Sequence, residues 1–165
     1  MTGLKVEIQF ASDAGALPAA DELEAWAQAA WRHPERGDRV CIRLVDEGEM
    51  TDLNGRYRSR PEATNVLSFE AGAVPGVPER PLGDLVICAP VVAREARQQG
   101  KAPAAHWAHM VVHGMLHLQG YDHEQAAEAA DMEALEVAIL AGLGHPDPYR
   151  ADRAPDGGRQ GSGGT

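Results

Sequence analysis

The sequence predicts a single domain of the α+β class with a metal centre at the end of a central helix. Three observations carry that expectation. Two short segments alternate apolar and polar side chains as strands do and two more are brief, mostly apolar runs after loops, three others repeat their apolar residues at helical spacing, and three histidines gather around one helix end. At 165 residues the chain has room for one core. A domain of about that length hides roughly 70% of its unfolded surface.

Taken in order, residues 4–10 alternate as a strand with one buried face. Over residues 18–31, Leu23, Trp26, Ala27, Ala30 and Trp31 fall on one helical stripe, and the tryptophans read as core. Asp21, Glu22 and Glu24 suit the positive end of that helix. Val40, Ile42 and Leu44 make residues 38–46 a second strand. A short helix is expected over 48–57, a loop around Pro61, and a brief strand over 66–69. Residues 70–82, with Gly72, Pro75, Gly76, Pro78 and Pro81, predict no regular element. A strand over 83–88 leads to Pro90, which suits the first turn of a helix ending near Gly100. Pro103 opens the next helix, which runs to about Gln119, and Met132, Leu135, Ile139 and Leu140 mark the last, over 126–143. The composition then turns to proline and glycine. The folded domain is expected over 1–148 and a disordered tail over 149–165.

A net charge of −10 argues against wholesale affinity for nucleic acid, which is driven by Lys and Arg on phosphates. The charges are unevenly spread. Residues 122–136 hold Asp122, Glu124, Glu128, Asp131, Glu133 and Glu136 without a Lys or Arg, and read as a solvated acidic face. Arg56, Arg58 and Arg60, with Arg94, Arg97 and Lys101, could form a local basic lip. No segment has the length and apolarity of a membrane span, nor the first residues the pattern of a signal peptide, so a cytoplasmic protein is expected. Cys41 and Cys88 lie in apolar segments and read as small buried residues with free thiols.

The chemistry is concentrated in residues 113–123. His113 and His117, four apart, stand on one helix face with Cβ atoms roughly 6 Å apart, which suits two sites on one metal ion. Gly120 can take φ > 0 and turn the chain so that His123 returns as a third ligand. Three protein ligands leave a fourth position for water, the mark of a catalytic rather than a structural zinc. The spacing follows the zincin pattern H-E-x-x-H-x-x-G-x-x-H except that Gly114 stands where a zinc protease has its glutamate base, which counts against peptide hydrolysis. His106 and His109 continue the histidine stripe and are assigned to the pocket wall or to support of the ligands.

These residues resemble the YbeY family of bacterial endoribonucleases, whose signature H-G-x-L-H-L-x-G-Y-D-H is met from His113 to His123. Further blocks agree: residues 53–58, 63–69, 82–88 and 106–112. The resemblance implies a zincin-like, mixed four-stranded sheet against several helices, and one Zn²⁺ per chain. It also implies single-strand endonuclease activity in maturation of the small-subunit rRNA 3′ end and in ribosome quality control. It makes Arg58 a functional residue, one whose guanidinium can grip a phosphate. Asn65 is expected to cap a strand or line the cleft, and Asp84 and Asp122 to stand near the site, Asp122 as a support for a ligand imidazole. The nucleophile stays open between metal-activated water, water aided by a carboxylate, and the RNA's own 2′-hydroxyl. Two rival readings are a ribosome-assembly factor that meets ribosomal proteins and has a mainly structural metal, and a zinc metalloprotease using strand 66–69 as an edge.

Overall fold

The strands are β1 (Lys5–Ala11), β2 (Arg39–Val45), β3 (Val66–Glu70) and β4 (Pro81–Cys88). The helices are α1 (Ala20–Ala30), α2 (Glu47–Arg58), α3 (Ala89–Gln99), α4 (Pro103–Leu118) and α5 (Ala126–Gly142), with one 3₁₀ turn at Pro34–Arg36. The computed structural model describes residues 3–58, 64–71, 81–121 and 126–149, with Arg58 and Ala126 described by backbone only.

The strands make one mixed sheet in the order β1-β2-β4-β3. β1, β2 and β4 are parallel, with Ile8 opposite Ile42 and Ile42 opposite Leu85, whereas β3 runs antiparallel to β4 with Leu67 opposite Val86. Parallel neighbours need a crossover. α1 supplies the first, and α2 with β3 spans the second. β1 and β3 are the edge strands of the described sheet.

Strand alternation decides which face each element covers. Val40, Ile42 and Leu44 join Leu85 and Ile87 against Leu23, Trp26 and Ala27 of α1 and Trp107, Val111 and Met115 of α4. The opposite face carries Val86 and Cys88, which pack with Met50 of α2 and Val91 of α3. The sequence expectation for residues 70–82 needs correcting at both ends, since Glu70 and Pro81 to Leu82 are in strands. Pro81 takes the first strand position, where a missing N–H is tolerated, and Leu82 is drawn in because it belongs to the core. Residues 72–80 lie outside the described ones.

α4 is buried over most of its length and circumference, including His106 and His109, as expected of a helix that is apolar nearly all round. Its exit is held by Gln119, which is 2% exposed. The Gln119 amide donates to the carbonyls of Ala30 and Met115 at 2.7 and 2.9 Å and accepts from the N–H groups of Arg32 and His33 at 2.6 and 2.9 Å. One side chain thus ties the end of α1 to the end of α4. Gly120 follows with φ 99°, a conformation that side chains resist. Gln119→Leu keeps the volume but removes the side-chain partner of the Ala30 carbonyl and of the Arg32 and His33 N–H groups. Its expected cost is roughly 2–4 kcal/mol, to be read from urea unfolding midpoints at unchanged slope.

Candidate metal centre

The histidine stripe is the consequence of steps of three and four on one rigid helix. His113 and His117 have ring centroids 4.7 Å apart. Together they line a cleft of about 570 Å³ whose other wall is Asn65 and the edge strand from Val66 to Glu70. His109 lies one turn toward the N-terminus, its ring 6.1 Å from that of His113, and is 7% exposed.

Behind the stripe stands Glu136 of α5, with 0% exposure. His113 Nδ1 donates to its Oε2 at 2.5 Å, His109 Nε2 lies 3.4 Å from its Oε1, and the Tyr149 hydroxyl donates to the same Oε1. Burial pushes the Glu136 carboxyl up, but the hydrogen bonds from His109, His113 and Tyr149 and the charge of His113 outweigh it and hold the group at about 2. An ionised carboxylate only accepts hydrogen bonds, so it sets the tautomers around it. In its neutral form, the one able to bind a metal, His113 keeps its proton on Nδ1, and the lone pair then sits on Nε2. His109 carries its proton on Nε2, and among the described residues its buried Nδ1 has no partner.

His109, His113 and Glu136 bring one ligand atom each to within 4.8 Å of the others, so they are placed to hold a metal ion. The 2.5 Å contact from His113 to Glu136 nevertheless has the length of a charge-assisted hydrogen bond. Two ligands on one tetrahedral zinc stand roughly 3.3 Å apart.

Of the other residues expected at the site, Asn65 stands at the start of β3 and in the cleft wall. Its Oδ1 accepts from the Val66 N–H at 2.7 Å, its carbonyl accepts from Cys88, and it lines the cleft. Its amide also donates to Glu95, which accepts from His106 Nε2 at 2.9 Å, so the start of β3 is pinned to α3 and α4. Burial lowers the pKa of His106 in spite of Glu95. Asp84 is placed differently from the sequence expectation. It lines a groove with Glu7, Cys41 and Arg43, across the sheet from the histidines, because Leu85 next to it faces α4 and alternation turns Asp84 away. Burial and the nearby Glu7 raise its pKa. Asp122, His123 and the Arg58 side chain lie outside the described residues.

Two residues that the sequence reading passed over complete the centre. Glu136 was counted in the solvated acidic face, yet it sits between the buried Met132 and Leu140, at i+4 from the one and i−4 from the other. A carboxylate inside an apolar stripe was the available signal. Tyr149 was assigned to the tail on composition. Its ring packs edge-on against His109 at 5.3 Å and its hydroxyl reaches Glu136. The basic lip is partly neutralised, since Arg56 pairs with Asp52 at 2.6 Å and Arg94 with Glu47 at 3.1 Å.

The same arrangement of strands and helices recurs in the solution structure of TM1509 from Thermotoga maritima. The TM-score is 0.51 at 20% identity, over 93% of this chain and 99% of that one. Fold and histidine cleft define an α+β protein with residues placed to hold a metal ion. The family described as Endoribonuclease YbeY matches residues 9–144. A protein named Endoribonuclease YbeY from Halorhodospira halophila is 53% identical over 88% of this chain and 97% of its own length. Those from Stutzerimonas stutzeri and Methylococcus capsulatus are 53% and 56% identical, over 93% and 84% of this chain and 96% and 91% of their own. The chain belongs to the endoribonuclease YbeY family, and that kinship makes it a hydrolytic nuclease.

The structure also gives a packing reason for the glycine in the place of the protease base. A Cβ at Gly114 would stand 2.7 Å from Leu85 Cδ2 and 3.2 Å from its Cδ1, and Leu85 is itself fully buried. Gly114→Glu, which restores the zincin pattern, is expected to cost roughly 3 kcal/mol or more and to yield no peptidase. Thermal melting and a casein assay check both halves.

Proposed function

We propose that this protein is a zinc-dependent, single-strand-specific endoribonuclease that matures the 3′ end of small-subunit rRNA and serves ribosome quality control in the cytoplasm. The observation that carries the reading is the pairing of His113 and His117 in the wall of the cleft, with Glu136 behind His113. The relatives' printed name, Endoribonuclease YbeY, supports RNA as the substrate. No helix among the described residues is long and apolar enough to cross a membrane.

The donor chemistry fits a borderline divalent ion. Imidazole nitrogen is a preferred zinc ligand, and a ligating histidine usually gives its other N–H to a carboxylate, as His113 does to Glu136. In this reading His113 and His117 hold one ion with His123 as the third ligand, and Glu136 is the support of His113 rather than a ligand. When bound, such an ion polarises a phosphate oxygen and lowers the pKa of a bound water toward about 7.

The chain's own residues set the rest. His113 is held in one tautomer, so its Nε2 accepts no proton from Glu136 and stays a donor of electrons. Asn65, pinned through Glu95 and His106, keeps the β3 wall at a fixed distance from the histidines. Arg58 at the end of α2 is proposed to grip the scissile phosphate, which suits a guanidinium charged at every working pH. Gly114 offers no side chain as base, so peptide hydrolysis by the protease route is not favoured.

Purified protein offered single-stranded RNA, duplex RNA and casein is expected to cut only the first. Cleavage should disappear with chelator and in His117→Ala, and fall by at least about 100-fold in Arg58→Ala. Cleavage of RNA that survives both chelation and His117→Ala overturns the proposal.

A further inference from the structure

A buried carboxylate is costly unless donors meet its lone pairs. In this protein the donors that meet Glu136 come from two places that are distant in sequence. His109 and His113 approach from α4, and Tyr149 approaches from the segment after α5. That segment is anchored before it reaches the site. The Tyr149 N–H donates to Asp147 Oδ1 at 2.8 Å, Pro148 is buried, and the His145 N–H donates to the Leu140 carbonyl at 2.8 Å.

Tyr149 makes two different contacts with one group of residues. Its hydroxyl donates to Glu136 Oε1 and lies 3.2 Å from His109 Nε2, and its ring packs edge-on on the His109 imidazole at 85°. Tyr149 and His109 therefore meet Oε1, while Oε2 is met by His113. Neither oxygen can rotate away without breaking one of these contacts. The hydroxyl also takes up a lone pair that would otherwise compete for the His113 proton.

From this geometry we infer that the segment after α5 is a latch on the metal helix, in which Tyr149, acting through Glu136, holds His113 with its Nε2 presented to a metal ion. Tyr149 is a positioning residue, separated from His113 by the Glu136 side chain. The inference rests on the reading of His113 as a ligand, and it adds that metal affinity depends on a residue beyond the last helix. It also gives His109 a task other than ligation, which is to seat the Tyr149 ring and satisfy Oε1.

The test uses the full chain and Zn²⁺ as the probe. Affinity is measured by competition with a chromophoric chelator, and the His113 tautomer is read in the metal-free protein from long-range ¹⁵N–¹H spectra. Metal-free wild type is expected to show His113 protonated on Nδ1. Tyr149→Phe, which keeps the ring and loses one hydroxyl, is expected to bind Zn²⁺ about tenfold more weakly, and Glu136→Gln about 10–100-fold more weakly, both with wild-type far-UV circular dichroism. Tyr149→Leu should be no tighter than Tyr149→Phe. Wild-type uptake of Zn²⁺ with unchanged affinity in Tyr149→Phe, or His113 protonated on Nε2 in the metal-free wild type, overturns the latch and leaves the proposed function standing. Failure of wild type to take up Zn²⁺ overturns both.

Discussion

The interaction on which this architecture depends is the burial of one carboxylate. Glu136 has no solvent contact, so hydrogen-bond donors must replace its water, and each donor fixes a different part of the chain. His113 and His109 tie α4 to α5 through Glu136, and Tyr149 ties the segment after α5 to both. A buried carboxylate of this kind is weak evidence for stability, because desolvation cancels much of what its hydrogen bonds contribute. Its value is that it admits few arrangements, and a centre made of imidazoles needs the arrangement more than the energy.

The second constraint is the closeness of α4 to the sheet. Gly114 lets the helix approach Leu85 to a distance that a side chain would forbid. The same approach brings His113 and His117 to the edge of β3, so the cleft is bounded by helix on one side and by strand on the other. A residue type that reads, in a motif, as a missing catalytic base is in the folded protein a packing requirement. The chemistry left to the site is then that of imidazoles, a cleft wall and whatever cations approach it, on a body whose net charge is −10.

Much of the fold was legible because it rests on local periodicity. Alternation marked β1 and β2, helical spacing marked α1, α4 and α5, and proline, glycine and acidic residues marked the other elements, to within a few residues at their ends. The exceptions are instructive. Pro81 and Leu82 join β4 although proline argues for a loop, because pairing with β2 and burial of Leu82 outweigh local preference. Asp84 was expected near the histidines from its place in a family-like block. Sheet alternation, which the sequence shows, together with knowledge of which face α4 covers, which it does not, puts it on the other side.

The class of fold, the histidine helix and its glycine stop could be read from residue order, since they follow from spacing along a single element. That Glu136 and Tyr149 belong to the same centre came from packing. They lie 23 and 36 positions beyond His113, and no period of helix or strand relates them to it. What brings them together is the need of a buried charge for donors, and that need arises only after α5 has packed on α4.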